Sequence, residues 1–314
     1  MTFYAPPPQD VSHPQQQQPK AARKKVTIQT LNNLRQSNTP ITTLTAYDYP
    51  TALACSSSPL VDITLIGDSL AQVALGLPST THLTLSDMIH HARAVARGTT
   101  HPLLVADMPF GTYHASTDST ILNAVRLIQE AHIDAIKMEG GEEIAPLVTR
   151  LTGIGIPVMG HVGLLPQRHV ALSGYKVQGR TADAARRVVR DALALQEAGA
   201  FSIVVEAVPK ELGRYVTEKL RVPTIGIGAG PWTSGQVLVI DDALGSWAGH
   251  KPKFARRFAE LKALRDGGVH RYAEAVRGGT FPDSFVESYA MAQEEWERFI
   301  KAETIVEEKQ VKKD

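Results

Sequence analysis

The sequence predicts a single (β/α)8 barrel with extra C-terminal helices. From Ile41 onward, short apolar runs of strand length alternate with longer stretches of helical periodicity, which is the pattern of repeated βα units. We count eight such runs, and this number favours a closed barrel over an open doubly wound sheet. The 314 residues are enough for such a barrel, which typically needs about 250.

The predicted strands are mostly apolar on both faces, as strands covered by helices must be. They are Ile41–Thr45, Ile63–Gly67, Leu103–Asp107, Ala135–Glu139, Val158–His161, Ser202–Glu206, Thr224–Gly228 and Val237–Asp241. Between them, apolar residues recur at helical spacing, for example Val188, Ala192 and Leu195. The run Gly226–Gly230 lacks the full dinucleotide fingerprint and is interpreted as a tight βα turn.

The two ends of the chain differ from the barrel in composition. Residues 1–25 are rich in Pro and Gln and predict a disordered extension. Residues 26–300 form the predicted catalytic domain, and its last part carries apolar residues at helical spacing. Residues 301–314 are predicted to be a charged tail.

Charge and cysteine content exclude several classes of protein. The formal net charge is +1 and no long basic run is present, so nucleic acid is not an expected partner. Cys55 is the single cysteine, which rules out an internal disulfide and indicates a reducing compartment. No apolar run approaches the roughly 18 residues that span a bilayer. We therefore expect a soluble cytoplasmic protein with no membrane partner, or a mitochondrial matrix protein if residues 1–25 are a presequence.

Acidic side chains recur at the carboxyl ends of the predicted strands, the face where barrel enzymes build their active sites. Asp68, Asp107, Glu139 and Glu206 hold four such positions. Converging carboxylates repel one another unless a cation compensates them, and oxygen ligands suit Mg²⁺. The sequence therefore predicts that Asp68, Asp107 and Glu139 bind Mg²⁺, which would polarise a bound carbonyl and acidify the adjacent carbon.

Proton removal from that carbon needs a base. Glu206 and Lys137 are the candidates, because both are titratable groups in partly buried places. Glu206 is preferred as the base, and Lys137 as the charge partner of a carboxylate or enolate oxygen. A structural ion pair is the alternative for Lys137. His161 could serve as a proton shuttle, an oxyanion donor or a buried core histidine.

Eight motifs, taken in order, carry a resemblance to a known family. They are Leu44–Asp48, Ile66–Leu70, Asp107–Phe110, Lys137–Gly141, Gly160–Leu164, Gly174–Arg180, Val205–Pro209 and Gly226–Gly230. Together they closely resemble the ketopantoate hydroxymethyltransferases from about Val26 to Gly245, with weaker agreement through Pro282. The departures Ala71, Leu165 and Ser173 avoid the chemical residues.

The resemblance implies a barrel of the phosphoenolpyruvate/pyruvate-binding type. It implies transfer of a one-carbon unit from 5,10-methylenetetrahydrofolate to 3-methyl-2-oxobutanoate, which gives 2-dehydropantoate on the route to pantothenate and coenzyme A. By the same resemblance, the metal would be bound by Asp68, Asp107 and Glu139. The keto acid would be bound by Asp68, Ser69, Asp107 and Lys137. Glu206 would be the proton acceptor. A homodecamer of two stacked pentameric rings is also implied.

Two other functions stay open from the sequence. A lyase or mutase of the isocitrate lyase and phosphoenolpyruvate mutase type would share the barrel and the metal. Such an enzyme normally places a cysteine in a mobile loop, and Cys55 lies in a different segment. A non-catalytic barrel that binds an oxo-acid would place no chemical demand on the acids at the strand ends.

Overall fold

Eight parallel strands form where the sequence has its short apolar runs. The structure is a computed structural model that describes residues 23–311. The strands are β1 Ile41–Thr45, β2 Ile63–Ile66, β3 Leu103–Asp107, β4 Ala135–Glu139, β5 Val158–Gly163, β6 Ser202–Glu206, β7 Thr224–Ile227 and β8 Gly235–Leu238. Each pairs with the next along the chain, and β8 closes on β1, where Thr43 lies opposite Val237. The predicted (β/α)8 barrel is confirmed.

The prediction for the last strand was wrong in its bounds. The strand begins at Gly235, and the chain is already helical from Ile240, so Asp241 lies in a helix. A side chain at Gly235 would collide with the Ile41 carbonyl oxygen of β1, so a glycine is needed inside this strand. Gln236 is exposed. Because the strand begins with a glycine and an exposed polar residue, its first two positions do not belong to an apolar run.

The helices follow the strands as the periodicity predicted. They are α1 Ile28–Gln36, α2 Tyr49–Ser57, α3 Leu70–Val73, α4 Leu85–Gly98, α5 Thr117–Ala131, α6 Ala145–Gly153, α7 Ala182–Glu197, α8 Lys210–Lys219, α9 Ile240–Leu244, α10 Leu261–Arg277 and α11 Gln293–Val311. In α7, the predicted stripe of Val188, Ala192 and Leu195 is buried. Local capping fixes several starts. The Asp48 carboxylate, for example, accepts the Thr51 N–H at 2.8 Å at the start of α2.

Apolar side chains of the strands and of α1 fill the amino-terminal part of the barrel. Leu31 of α1 is fully buried in one cluster with Ile41, Ile63 and Leu103. Burial of a leucine side chain contributes about 1.5–3 kcal/mol, so this contact helps to hold α1 on the barrel, together with Ile28 and Leu34 of the same helix. Since apolar side chains occupy this region, the polar side chains of the strands are left to the opposite, carboxyl end.

Contacts with the barrel begin before the predicted domain start at Val26. The Arg23 guanidinium lies 2.6 Å from the Asp62 carboxylate, and the Lys25 ammonium lies 2.7 Å from that of Asp134. The rest of the predicted N-terminal extension, residues 1–22, lies outside the described residues. Arg23 and Lys25 therefore contact the barrel, although the sequence assigned them to the extension.

The described chain divides into two compact units. The first runs to Ala243 and includes residues 249–256, and the second contains residues 244–248 and the chain from Arg257 onward. No side chain of α10 is buried, and Leu264 and Val269 are more than three-fifths exposed. Helix α11 continues to Val311, so most of the predicted charged tail is helical. Among the helices of residues 23–311, none has the length and apolar character needed to cross a membrane.

Candidate active site

Strand register brings the predicted site residues to one end of the barrel. Asp107 of β3 lies opposite Lys137 of β4, and Glu139 lies opposite His161 of β5. Glu206 ends β6 opposite Gly163, and Asp68 follows the end of β2. Neighbouring parallel strands end side by side, so these side chains converge as the sequence predicted.

The centre of the site is an ion pair between Lys137 and Asp107. The Lys137 ammonium lies 2.9 Å from Oδ1 of Asp107, and both side chains are about 95% buried. The other carboxylate oxygen of Asp107 accepts the Asp68 N–H at 2.9 Å. Asp107 therefore fixes both the ammonium group and the backbone that presents Asp68.

Lys137 also determines the tautomer of His161. The ammonium group lies 3.1 Å from Nδ1 of His161, and an ammonium can only donate, so Nδ1 is the acceptor. Burial, together with the nearby Lys137 charge, holds the pKa of His161 well below its usual value, so the ring is neutral with its proton on Nε2. Nε2 lies 3.2 Å from Oε2 of Glu206. The imidazole Nε2 is therefore close to the Glu206 carboxylate, although it forms no hydrogen bond among the described residues.

Gln167, which no sequence pattern predicted as a site residue, joins two of the acids. Its side-chain amide donates to Oδ2 of Asp68 at 2.9 Å and to the Met108 carbonyl at 3.0 Å. Its backbone N–H donates to Oε2 of Glu139 at 3.0 Å, and Tyr113 donates its hydroxyl to the amide oxygen at 2.6 Å. A single glutamine in the loop after β5 has no spacing signal, so only the course of that loop reveals its role.

Ser69 is held by a buried tyrosine. The Tyr47 hydroxyl lies 2.8 Å from Oγ of Ser69, and Tyr47 is only 3% exposed. A Cβ atom at Gly67 would lie 2.9 Å from the same Oγ, so a glycine is needed for this close approach. The serine hydroxyl is thus fixed beside Asp68, and its predicted contact with substrate stays a prediction.

The site contains more negative than positive side chains. Burial, strengthened by repulsion from Asp107, raises the pKa of Asp68 to about 7. Burial also raises the pKa of Glu139 well above its usual value, and that of Glu206 to about 8. Burial alone would lower the pKa of Lys137, but Asp107, Glu139 and Asp68 raise it above its usual value. Four carboxyl groups therefore share one ammonium group.

These residues fit a hard divalent cation. Oδ1 of Asp107 is buried and has no hydrogen-bond partner besides its ionic contact with Lys137. Added positive charge would relieve the repulsion that raises the carboxyl pKa values, and the oxygen donors match the preference of Mg²⁺. Within residues 23–311, no three His, Cys, Asp or Glu side chains already have metal-binding geometry. The metal role of Asp68, Asp107 and Glu139 therefore stays a prediction.

Cys55 takes no part in this site. It is buried in α2, and its sulfur lies 3.9 Å from the Thr45 carbonyl oxygen. Burial raises the pKa of its thiol to about 11, so almost no thiolate is present at neutral pH. A mechanism that uses a cysteine as acid or nucleophile therefore gains no support.

Comparison with known proteins gives a consistent family match. The family model described as Ketopantoate hydroxymethyltransferase matches residues 25–284. The 3-methyl-2-oxobutanoate hydroxymethyltransferase of Emericella nidulans is 46% identical, over 89% of this chain and 80% of its own. The enzyme of the same name from Thermus thermophilus is 50% identical, over 76% of this chain and 91% of its own.

Solved structures with a similar fold are much more distant in sequence. Phosphonopyruvate hydrolase, in a complex with oxalate and Mg²⁺, superimposes with a TM-score of 0.55 at 16% identity, over 89% of this chain and 96% of its own. The 2,3-dimethylmalate lyase, a member of the PEP mutase/isocitrate lyase superfamily, gives 0.52 at 15% identity, over 90% and 98%. At this identity, the likeness shows the fold alone.

Proposed function

The chain belongs to the ketopantoate hydroxymethyltransferase family and is an enzyme of that activity, and on this premise we propose how its site performs the reaction. The keto acid is 3-methyl-2-oxobutanoate, the one-carbon donor is 5,10-methylenetetrahydrofolate, and Glu206 removes the proton from C3 of the keto acid. One observation carries the proposal. His161 lies between Glu206, a carboxylate of raised pKa, and the buried ammonium group of Lys137, and it is within 3.2 Å of each. A base and an electrostatic stabiliser are thus paired in one site.

The keto acid would bind among Asp68, Ser69, Asp107 and Lys137. Its negative carboxylate needs positive charge, and Lys137 is the one cationic side chain described among the buried groups of the site. We propose Mg²⁺ as the second positive charge, held by Asp68, Asp107 and Glu139; when bound it supplies Lewis-acid polarisation of the keto group. Gln167 supports this arrangement because it fixes the carboxylates of Asp68 and Glu139.

Glu206 is suited to proton transfer by position and by pKa. Its side chain is 14% exposed, so it can meet a substrate, and a pKa of about 8 lets it take up and release a proton near neutral pH. Nε2 of His161 lies 3.2 Å from one of its carboxylate oxygens but forms no hydrogen bond with any described residue. We propose that a small movement of Glu206 on substrate binding completes this hydrogen bond, which would then orient the base. His161 is therefore a positioning residue for the base.

Removal of the C3 proton leaves an electron pair that spreads to the keto oxygen. The Lys137 ammonium, fixed by Asp107 before substrate arrives, stabilises the negative charge that develops there. The carbanionic C3 then forms a bond to the donor methylene carbon, both methylene–nitrogen bonds to tetrahydrofolate break, and water supplies the hydroxyl oxygen. The two freed nitrogens take up one proton from C3, through Glu206, and one from that water. The product is 2-dehydropantoate.

A lyase or mutase mechanism finds no comparable support. The structures of that group resemble the chain in fold at 15–16% identity, whereas the hydroxymethyltransferases are 46–50% identical.

Product analysis tests the proposal. The purified protein with Mg²⁺, 3-methyl-2-oxobutanoate and 5,10-methylenetetrahydrofolate should form 2-dehydropantoate, detected by mass spectrometry. A folded protein that forms no 2-dehydropantoate under these conditions would refute it.

A further inference from the structure

Four exposed cations and an exposed tryptophan lie beside the acidic site. We call Lys176, Arg180, Lys210 and Arg214 the basic rim, and Trp232 lies with them. None of the five is used in the chemistry described above. Their charge is opposite to that of the buried acids, so the mouth of the barrel has an acidic interior and a basic edge.

The chain places the basic rim close to Glu206. Lys210 begins α8 four residues after Glu206, a length of chain that spans at most about 14 Å. The Gln178 N–H donates to the Ala207 carbonyl at 2.8 Å, and a side chain at Gly179 would collide with Leu212. The segment that carries Lys176 and Arg180 therefore packs against the start of α8.

Trp232 lies close to two of these cations. The Lys210 ammonium and the Arg214 guanidinium each lie 5.8 Å from its ring centroid, within cation–π range. A side chain at Gly230 would collide with Lys210, which shows how closely the loop of Trp232 approaches α8. The indole is nevertheless 44% exposed, so an aromatic ring of a ligand can still reach it.

The negative charges nearby do not cancel the basic rim. Arg214 bonds Glu218 at 2.7 Å, and Lys210 lies 3.8 Å from Glu211. Lys176 and Arg180 have no acidic side chain within 4.0 Å in the described part of the chain. Four cations thus face two acids, and the excess is positive.

We propose that the basic rim and Trp232 bind the aromatic, carboxylate-bearing tail of the one-carbon donor. This inference rests on the proposed function, since a reduced folate carries its transferable carbon near the pteridine and its carboxylates at the far end. The buried acids repel those carboxylates, whereas the basic rim attracts them. The electrostatic contrast therefore orients the donor with its one-carbon end toward Glu206.

The test uses the double variant Arg180→Gln/Lys210→Gln and the single variant Trp232→Leu. Lys219→Gln is a matched control, because Lys219 lies 5.3 Å over the Tyr215 ring at the other end of α8, about 14 Å along the helix axis. Calorimetry gives the dissociation constant of 5,10-methylenetetrahydrofolate, and of p-aminobenzoylglutamate as a tail-only probe. Steady-state kinetics gives the donor KM and kcat.

The double variant should weaken donor and tail-probe binding about tenfold, since an exposed ionic contact is worth up to about fivefold in an equilibrium constant. We expect Trp232→Leu to weaken both by a similar factor, because a stacked ring is lost. The donor KM should rise in parallel with little change in kcat, since the tail is bound equally before and during reaction. Lys219→Gln should match the wild type.

Donor and tail-probe affinities of the double variant within twofold of the wild type would overturn the inference. In that case the basic rim is a solvated charged surface. Exchange of the C3 proton of the keto acid, measured without donor, separates this result from a failure of the proposed function. Wild-type protein that does not exchange the proton refutes the base chemistry, whereas normal exchange with unchanged donor affinity refutes the basic rim alone.

Discussion

The side chains of Lys137, His161 and Glu206 determine where protons lie in the site. Lys137 donates to Nδ1 of His161, which leaves the ring proton on Nε2, 3.2 Å from the Glu206 carboxylate. A donor at the Nε2 position stabilises the carboxylate form of the base and holds its direction. This gives a paired prediction for two substitutions of His161.

We expect His161→Gln to keep most of the C3 proton exchange and His161→Asn to lose about 100-fold. The glutamine amide reaches the position of Nε2, whereas that of asparagine ends near Nδ1. In the asparagine variant, the midpoint of the pH profile should also move upward, because Glu206 would lack the nearby donor that we propose for the substrate complex. Equal rates and equal midpoints in the two variants would show that His161 does not act on the base.

The pH dependence of exchange follows from the pKa of Glu206. Burial raises this pKa to about 8, and only the ionised form accepts a proton, so the rate should rise with pH and level off above the midpoint. Saturating Mg²⁺ should lower the midpoint, since a nearby cation favours the carboxylate. Exchange rates measured by NMR between about pH 6 and 9 test this. A rate that falls as pH rises would contradict it.

Sequence patterns predicted the positions of the acids at the strand ends, but not the polar side chains that hold the site residues in place. Asp107, Glu139 and Glu206 end apolar strands, so their convergence follows from the barrel topology alone. Gln167 lies in a loop, where its partners depend on a path through space that no periodicity encodes. The hydroxyl pairing of Tyr47 with Ser69 is hidden for the same reason.

Among the secondary-structure elements, we expect α1 to contribute to the stability of the barrel and not to the catalytic reaction. Leu31 is fully buried among strand residues of the barrel, remote from the strand ends that carry the acids. We expect Leu31→Ala to lower the free energy of unfolding by about 2–5 kcal/mol, because a cavity is left in a packed core. The C3 exchange rate per folded molecule should stay at the wild-type value.

Chemical denaturation monitored by circular dichroism measures this change. Leu122→Ala on α5 is the control, because Leu122 is 64% exposed and its removal should change stability by less than about 0.5 kcal/mol. Equal destabilisation by the two substitutions would show that α1 adds nothing to the barrel core.

Strand prediction succeeded where both faces are apolar and failed where they are not. β3 and β4 are buried at every position and have the predicted bounds. β8 alternates buried and partly exposed positions and begins at a glycine, so the apolar-run criterion placed it two residues late. Edges of elements depend on local packing, such as that of Gly235 against β1, which the sequence pattern does not contain.

At the scale of the whole molecule, the quaternary structure is a prediction from the family resemblance. The exposed apolar side chains of α10, among them Leu264, Val269 and Tyr272, are compatible with burial against another chain. Apolar spacing predicted helices in this region, but spacing does not say what they pack on. Light scattering coupled to size exclusion should give ten times the mass of one chain. A mass equal to one chain would refute the decamer.

The most direct measurement is deuterium exchange at C3 of 3-methyl-2-oxobutanoate, followed by NMR with Mg²⁺ and without donor. The wild type should exchange the proton, and Glu206→Gln should exchange it at least about 100-fold more slowly, because an amide cannot accept a proton at neutral pH. Mg²⁺ affinity, measured by calorimetry, should be the same in both proteins. Exchange at the wild-type rate in Glu206→Gln would contradict the assignment of Glu206 as the base.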